Sequence, residues 1–168
     1  FDIQELRLRV RNALSRTKLG TVTNPVTNLP EGALLDERLS EWLKKDNWAM
    51  LHIRLENLDA FRENYGFVAS DDVLKAIGLM ISAVMRDDGS LDDFLGQLGP
   101  TDFVLVTTFS LKVVLKDRIL SRMEQSLDYF YPLKDRGKAE LLSKRITTKI
   151  GILDASQGSF QDLAVLPP

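Results

Sequence analysis

The sequence predicts an α/β (α+β) domain with helices packed on a central, mostly antiparallel sheet. Three observations support this: apolar runs of strand length, segments with helical periodicity between them, and two strand-like runs joined by a tight turn. The chain has 168 residues, 44% of them hydrophobic and 27% charged, which fits one globular domain with a short appendage. The predicted order is helix, strand, helix, helix, hairpin, helix, strand.

The elements before the hairpin follow from the spacing of their apolar residues. They are an amphipathic helix at residues 3–18, a second helix at about 33–45, a strand at 48–56, a helical turn at 58–64 and a strong helix at 71–88. The last of these begins with two acids, Asp71 and Asp72, which suit the positive end of a helix. The segment 19–32, with Pro25 and Pro30, is the best linker candidate.

The second half of the chain is predicted to complete the sheet. The stretch "FLGQLGPTDFVLVTTF", residues 94–109, is typical of a hairpin, although its turn carries a proline where glycine is usual. A long helix is predicted from Lys112 to about Tyr131, because Pro132 cannot continue it. The stretch "RITTKIGILDA", residues 145–155, predicts the last strand.

Composition excludes several classes of function. The net charge of −2 does not indicate the positive charge that nucleic-acid binding requires. The lack of cysteine excludes disulfides and thiolate metal sites. His52, the only histidine, cannot form a His-rich metal site and is interpreted as a core or interface residue. No apolar run approaches the roughly 18–20 residues that span a bilayer, so we expect a cytoplasmic protein without membrane contact. The missing initial methionine suggests a piece of a longer protein.

Four stretches occur in the order and spacing of the motifs of one family: "NPVTNLPEGALLDERL", "RLENLDAFRENYGFVASDDVLKAIG", "LGPTDFVLV" and "ITTKIGIL". They resemble the motifs of the GGDEF family, the bacterial diguanylate cyclases, over about residues 24–155. The resemblance implies the nucleotide-cyclase, ferredoxin-like GGDEF fold. Residues Gly99–Phe103 stand at the position of the family's five-residue signature, and we call them the signature turn.

The resemblance also implies where an active cyclase would hold its two divalent ions. In the family, one carboxylate ends the first strand and a second stands at the third position of the signature; the metals polarise the triphosphate and help to activate the attacking 3′-hydroxyl. These positions are Arg54 and Thr101 here. A cation in place of a ligating carboxylate repels a metal ion, so we expect no metal and no other cofactor. Glu56 and Asp102 are the nearest remaining carboxylates.

The nucleotide pocket implied by the resemblance is mixed. The family's guanine-pairing Asn corresponds to Arg62, while its guanine-pairing Asp is retained as Asp71. The phosphate-facing Lys corresponds to Asp59, whose negative charge opposes a triphosphate. Glycines of the signature approach phosphate and donate N–H groups, and Gly99 retains this ability, but Pro100 has no N–H.

These residues also have structural interpretations. Arg54 and Arg62 are interpreted either as solvated arginines or as a new anion site, and the first reading is favoured. Asp71, at the predicted helix start, is explained by capping as well as by guanine binding.

The inhibitory site that the resemblance implies is degenerate. Its motif is R-x-x-D, and the Asp corresponds to Asp93 while the Arg corresponds to Ser90. Arg86 lies nearby in the sequence and would reach the same surface only if the loop were remodelled. We therefore do not expect the usual product feedback.

The predicted organisation is an N-terminal linker or signalling helix at residues 1–20, followed by a degenerate GGDEF domain at 24–168 that is truncated at its C-terminus. The first segment resembles the last helix of a receiver domain. The function favoured is an inactive signalling module whose partners are other domains of its chain, a signalling protein or a second copy in a homodimer. The alternatives are a metal-independent sensor of GTP or cyclic di-GMP and, least favoured, an active cyclase.

Overall fold

A computed structural model of the chain describes residues 23–136 and 144–157. Its helices and strands follow the predicted order. In chain order they are α1 (Gly32–Leu43), β1 (Trp48–Glu56), α2 (Leu58–Tyr65), α3 (Phe67–Asp88), β2 (Phe94–Gly99), β3 (Asp102–Thr108), α4 (Lys112–Ser126) and β4 (Thr147–Asp154). The predicted helix at 3–18 lies outside the described residues.

The four strands form one antiparallel sheet in the order β2-β3-β1-β4. β1 is a central strand, and its register with β3 runs from Trp48 opposite Thr108 to Arg54 opposite Asp102. On its other side β1 pairs with β4, with Glu56 opposite Thr147. The predicted sheet is therefore confirmed, and the end of β1 lies beside the signature turn.

Helices cover both faces of the sheet. Successive strand residues point to opposite sides, and both sets include apolar residues that the helices bury. One face packs against α3 and α4. This contact buries Leu51, Ile53 and Phe103 of the sheet against Ile77 of α3 and Ile119 of α4. The other face packs against α1 and forms a second cluster. Its buried members are Leu35, Leu39, Trp42, Leu43, Trp48, Met50, Phe94, Val104, Val106 and Leu153. The domain thus has three layers with the sheet in the middle.

The predicted strand at 48–56 has the bounds of β1, whereas one helix start was wrong. We expected a helix from Asp71, but α3 begins at Phe67, directly after Gly66 with φ 88°. Asp71 therefore lies in the second turn of α3, so helix capping does not explain it. The acid pair was misleading because Phe67 and Val68, 66% and 74% exposed, give the first turn no buried apolar stripe.

The remaining differences concern helix ends and the linker candidate. α1 ends at Leu43, and α4 ends at Ser126 with a 3-10 turn at Leu127–Phe130 before Pro132. The described part of the linker candidate is a folded turn: Asn24 Oδ1 accepts hydrogen bonds from the backbone of the next turn residues. The backbone N–H of Gln97 in β2 also donates to the carbonyl of Pro30 at 2.9 Å.

An ion pair joins the start of α4 to the end of β4. Lys112 Nζ lies 2.7 Å from Asp154 Oδ2, and Ser156 donates to the same carboxylate. Burial would raise the pKa of Asp154, but the hydrogen bonds from Lys112 and Ser156 outweigh it and hold that pKa below its usual value. α4 is therefore tied to the sheet at its first residue.

The structure describes no helix that is both long enough and apolar enough to cross a membrane.

Two glycines provide a matched test of the packing. A Cβ added at Gly96 in β2 would lie 2.5 Å from Cδ1 of the fully buried Leu35 and 3.2 Å from the Pro30 carbonyl oxygen. A Cβ at Gly78 in α3 would meet its neighbours at 3.7 Å or more. We expect Gly96→Ala to lower the free energy of unfolding by about 1–3 kcal/mol, because the buried Leu35 side chain of α1 and the Pro30 carbonyl must shift to make room.

The control, Gly78→Ala, should be neutral or raise that free energy by up to about 1 kcal/mol, since alanine favours the helix. Urea unfolding of both variants measures the difference. Equal stabilities for the two variants would contradict the close approach of α1 to β2.

Candidate functional site

The signature turn is a tight connection between β2 and β3. Gly99 pairs with Asp102 across it, with Pro100 and Thr101 at the tip. The N–H of Leu55 in β1 donates to the Thr101 carbonyl at 3.0 Å, which fixes the turn against the end of β1. Gly99 is not among the residues with positive φ, so this turn does not use the conformations that only glycine adopts freely.

A buried cluster of charged and titratable groups lies beside the turn. Oδ1 of Asp102 is 3.4 Å from Arg54 Nε, and Oδ2 is 3.5 Å from His52 Nε2. Asp102 is 3% exposed and His52 is fully buried, whereas the Arg54 side chain keeps 22% of its surface in solvent. The carboxylate of Asp102 is therefore shared between two strand residues that lie on the same face of β1.

The residues present do not fit the metal ions that the resemblance implied. Of the two carboxylate positions, one holds the guanidinium of Arg54 and the other holds Thr101, whose hydroxyl lies 3.4 Å from Asp102. Asp102 itself is engaged by Arg54, and Glu56 pairs with Lys149 at 3.2 Å. In the described parts of the chain, no three His, Asp or Glu residues are arranged to hold a metal ion. We derive no metal-assisted step for this site.

A cavity of about 270 Å³ opens between the signature turn, α3 and the 24–31 segment. It brings together three of the predicted site residues, Arg62, Asp71 and Gly99, with Pro100 at its edge. Arg62 Nε lies 3.4 Å from the hydroxyl of Ser70, which is buried. Arg54, Thr101 and Asp102 are not among the residues that line this cavity.

The sequence motifs gave no indication of Gln97, a buried polar residue of this cavity. Gln97 is 1% exposed; its Oε1 accepts from the Thr27 hydroxyl at 2.5 Å and its Nε2 donates to the Gly99 carbonyl at 3.1 Å. Gln97 thus joins the 24–31 segment to the signature turn. The available signal was a polar residue in a strand otherwise rich in apolar and glycine residues.

Ser90 and Asp93, the residues of the degenerate inhibitory site, lie together, but their polar groups form hydrogen bonds within the loop and to β3. Asp93 accepts hydrogen bonds from the backbone and the hydroxyl of Ser90, and from the Thr107 hydroxyl at 2.9 Å. Arg86 is exposed on α3. This arrangement closes the loop between α3 and β2 onto β3 and engages both oxygens of the Asp93 carboxylate.

Comparison with sequence families and curated proteins gives one match. The family described as "Diguanylate cyclase, GGDEF domain" matches residues 21–164, which is most of the chain. Among curated protein sequences, none matches.

Several solved structures share the fold. The diguanylate cyclase SiaD of Pseudomonas aeruginosa, solved in complex with its activator SiaC, has a TM-score of 0.62 and 17% identity over 90% of this chain and 55% of SiaD. Vibrio cholerae LapD S helix-GGDEF-EAL, bound to c-di-GMP, has a TM-score of 0.64 and 14% identity over 95% and 33% of the two chains. The GGDEF domain of Caulobacter crescentus DgcB, in complex with c-di-GMP, has a TM-score of 0.60 and 15% identity over 88% and 86%.

The Asp102 cluster can be tested by removing its charge while keeping its shape. Asp102→Asn removes a buried carboxylate charge that faces Arg54 and His52, so we expect the free energy of unfolding to fall by about 2–4 kcal/mol. The matched control is Asp87→Asn, which breaks the exposed Asp87–Arg122 pair and should cost less than about 0.5 kcal/mol. Urea unfolding at neutral pH measures both variants. Equal losses would show that the buried cluster contributes no more than a surface ion pair.

Proposed function

Since the chain belongs to the GGDEF family of diguanylate cyclase domains, we propose that it is a catalytically inactive member that acts as a signalling module. In this proposal it works in the cytoplasm, within a multidomain bacterial regulator, through contacts with other domains or proteins. The observation that carries the proposal is the ion pair between Arg54 and Asp102. It lies where the family resemblance implied a divalent ion.

Charge is the first argument for inactivity. An aspartate replaced by an arginine changes the local charge by two units toward positive, which repels a divalent cation. Asp102 cannot compensate, because its two oxygens already face Arg54 at 3.4 Å and His52 at 3.5 Å. A metal ion at this position would have to displace an ion pair that is mostly shielded from water.

Phosphate binding is the second argument. Pro100 has no N–H to donate to a phosphate oxygen, and Asp59 places a negative charge where the resemblance implied a lysine. Each lost charge-assisted donor is worth about 1.5–3 kcal/mol, or roughly tenfold or more in affinity. These defects weaken the binding of a triphosphate even without any metal.

The signalling role is supported by the proteins and domains that accompany similar domains in solved structures. SiaD was solved with its activator SiaC, and the LapD structure carries an S helix and an EAL part beside its GGDEF part. This chain spans 55% and 33% of those two chains. We propose that residues 3–18, with one apolar stripe, contact a second copy of this chain or a neighbouring receiver domain.

A second candidate function is supported by the 270 Å³ cavity. Arg62 and Asp71 line it together, so a guanine base there would meet two complementary groups. An arginine donates to the O6 and N7 acceptors of guanine, and a carboxylate accepts from its N–H groups. Because Arg54 does not line this cavity, the phosphates would lack the second arginine. We propose a metal-independent guanine site that recognises the base more than the triphosphate.

Catalysis is the direct test of the first proposal. We expect no detectable cyclic di-GMP from GTP in the presence of Mg²⁺ or Mn²⁺, because neither carboxylate position holds a carboxylate. Chromatographic product analysis after prolonged incubation measures this. Product formation that is lost on Asp102→Ala would overturn the proposal of inactivity.

A gain-of-function variant is the matched control for that negative result. The triple variant Arg54→Asp, Pro100→Gly and Thr101→Glu restores both carboxylates and the missing N–H. We expect Mg²⁺ to strengthen GTP binding to this variant by about tenfold or more and to leave the unmodified chain unaffected. Calorimetry with and without a chelator measures both proteins.

Nucleotide affinity tests the second candidate. We expect the unmodified chain to bind GTP more weakly than about 100 µM in the presence of a chelator, and guanosine with similar affinity. Asp71→Asn and Arg62→Ala should each weaken guanosine binding, while Arg54→Ala should not, because Arg54 lies outside the cavity lining. Low-micromolar GTP binding that Arg54→Ala abolishes would contradict this and favour a sensor that reads phosphates.

A further inference from the structure

A second cavity of about 410 Å³ lies between α4 and the beginning of β4. It does not share residues with the cavity at the signature turn. Its volume falls within the range of about 300–1,000 Å³ that is typical of small-molecule sites. The lining residues are Leu120, Met123, Glu124, Leu127, Asp128, Arg145, Ile146, Thr147 and Thr148.

The cavity has an apolar part built on the core. Met123 and Ile146 are 1% and 3% exposed, and Leu120 and Leu127 are half-buried beside them. Since a small molecule gains most of its affinity by burying apolar surface, this part suits a compact hydrocarbon or aromatic body.

The polar groups of the cavity carry an excess of negative charge. Arg145 Nη2 pairs with Asp128 Oδ1 at 2.6 Å, and the guanidinium lies over the Tyr131 ring at 4.8 Å. Arg145 is thus held by Asp128 and Tyr131. Glu124, four residues before Asp128, has no ion-pair partner among the described residues and is exposed. The lining therefore has two carboxylates for one guanidinium.

The wall of the cavity is held in place by hydrogen bonds. The backbone N–H of Ile146 donates to the Tyr131 hydroxyl at 3.0 Å, and Asn57 Nδ2 donates to the Arg145 carbonyl at 2.9 Å. A binding site whose walls are fixed in advance loses less entropy when a ligand enters. The cavity is therefore preformed on the β4 side.

We propose that this cavity binds a small organic cation: a compact apolar body carrying one ammonium or amidinium group. The apolar body contacts Met123, Ile146 and the adjacent leucines, and the cationic group pairs with Glu124 beside the Arg145–Asp128 pair. Charge complementarity selects this class, because a cation can pair with the carboxylate of Glu124, whereas an anion would be repelled by it. The site would provide the domain with a ligand input separate from the signature turn.

Two probes of the same shape and opposite charge test the proposal. They are 2-phenylethylamine, a cation at neutral pH, and 3-phenylpropionate, an anion. Titration of each into the chain, followed by the amide signals of Ile146, Thr147 and Thr148, should show the amine binding about tenfold or more tighter than the acid. Equal binding of the two probes, or binding of neither at about 10 mM, would overturn the proposal.

A matched pair of variants locates the cationic group. Glu124→Gln should weaken amine binding about threefold to tenfold, because it removes the carboxylate that has no counter-ion. Glu63→Gln, which removes another exposed carboxylate on α2, should leave it unchanged. Arg62→Ala, in the other cavity, should also have no effect. The site would be refuted if Glu63→Gln or Arg62→Ala lost amine binding. It would also be refuted if Glu124→Gln bound the amine as tightly as the unmodified chain.

Discussion

The antiparallel register of β1 with β3 determines both the architecture and the chemistry of this domain. It places Arg54 opposite Asp102, so a cation and an anion meet at a position largely withdrawn from water. Pairs of this kind gain little net stability, but removal of one partner leaves the other charge uncompensated. The register therefore makes Arg54 and Asp102 depend on each other. A ligand that enters the space beside Arg54 must accommodate this pair.

The two cavities differ because different helices, strands and loops form them. The 270 Å³ cavity lies where the 24–31 segment meets β2 and α3, and Gln97 joins that segment to the signature turn. The 410 Å³ cavity lies where α4 ends and β4 begins, beside the pair of Arg145 and Asp128. Both adjoin the same side of the sheet, which α3 and α4 cover. A ligand in either would act on a helix already packed against the core.

Much of the fold could be predicted because its strands are short apolar runs and its helices have one apolar stripe. The start of α3 could not, since Phe67 and Val68 are exposed apolar residues that carry no helical periodicity, and the acids after them resembled a helix start. The motifs placed Arg54 and Asp102 close together, but a sequence does not give the direction of a side chain. The contacts of Asp102 with His52 and the role of Gln97 depend on pairing between strands distant in sequence.

Building the family's two carboxylates into the signature turn would need more than one substitution. Arg54→Asp alone would set two carboxylates directly opposite each other across neighbouring strands, which destabilises a sheet until a cation arrives. Asp102 would also lose the guanidinium that now offsets its burial. Thr101 would still lack a charged oxygen, and Pro100 would still lack an N–H. A site rebuilt only in part would therefore bring two carboxylates together without completing the set of groups that holds a metal ion.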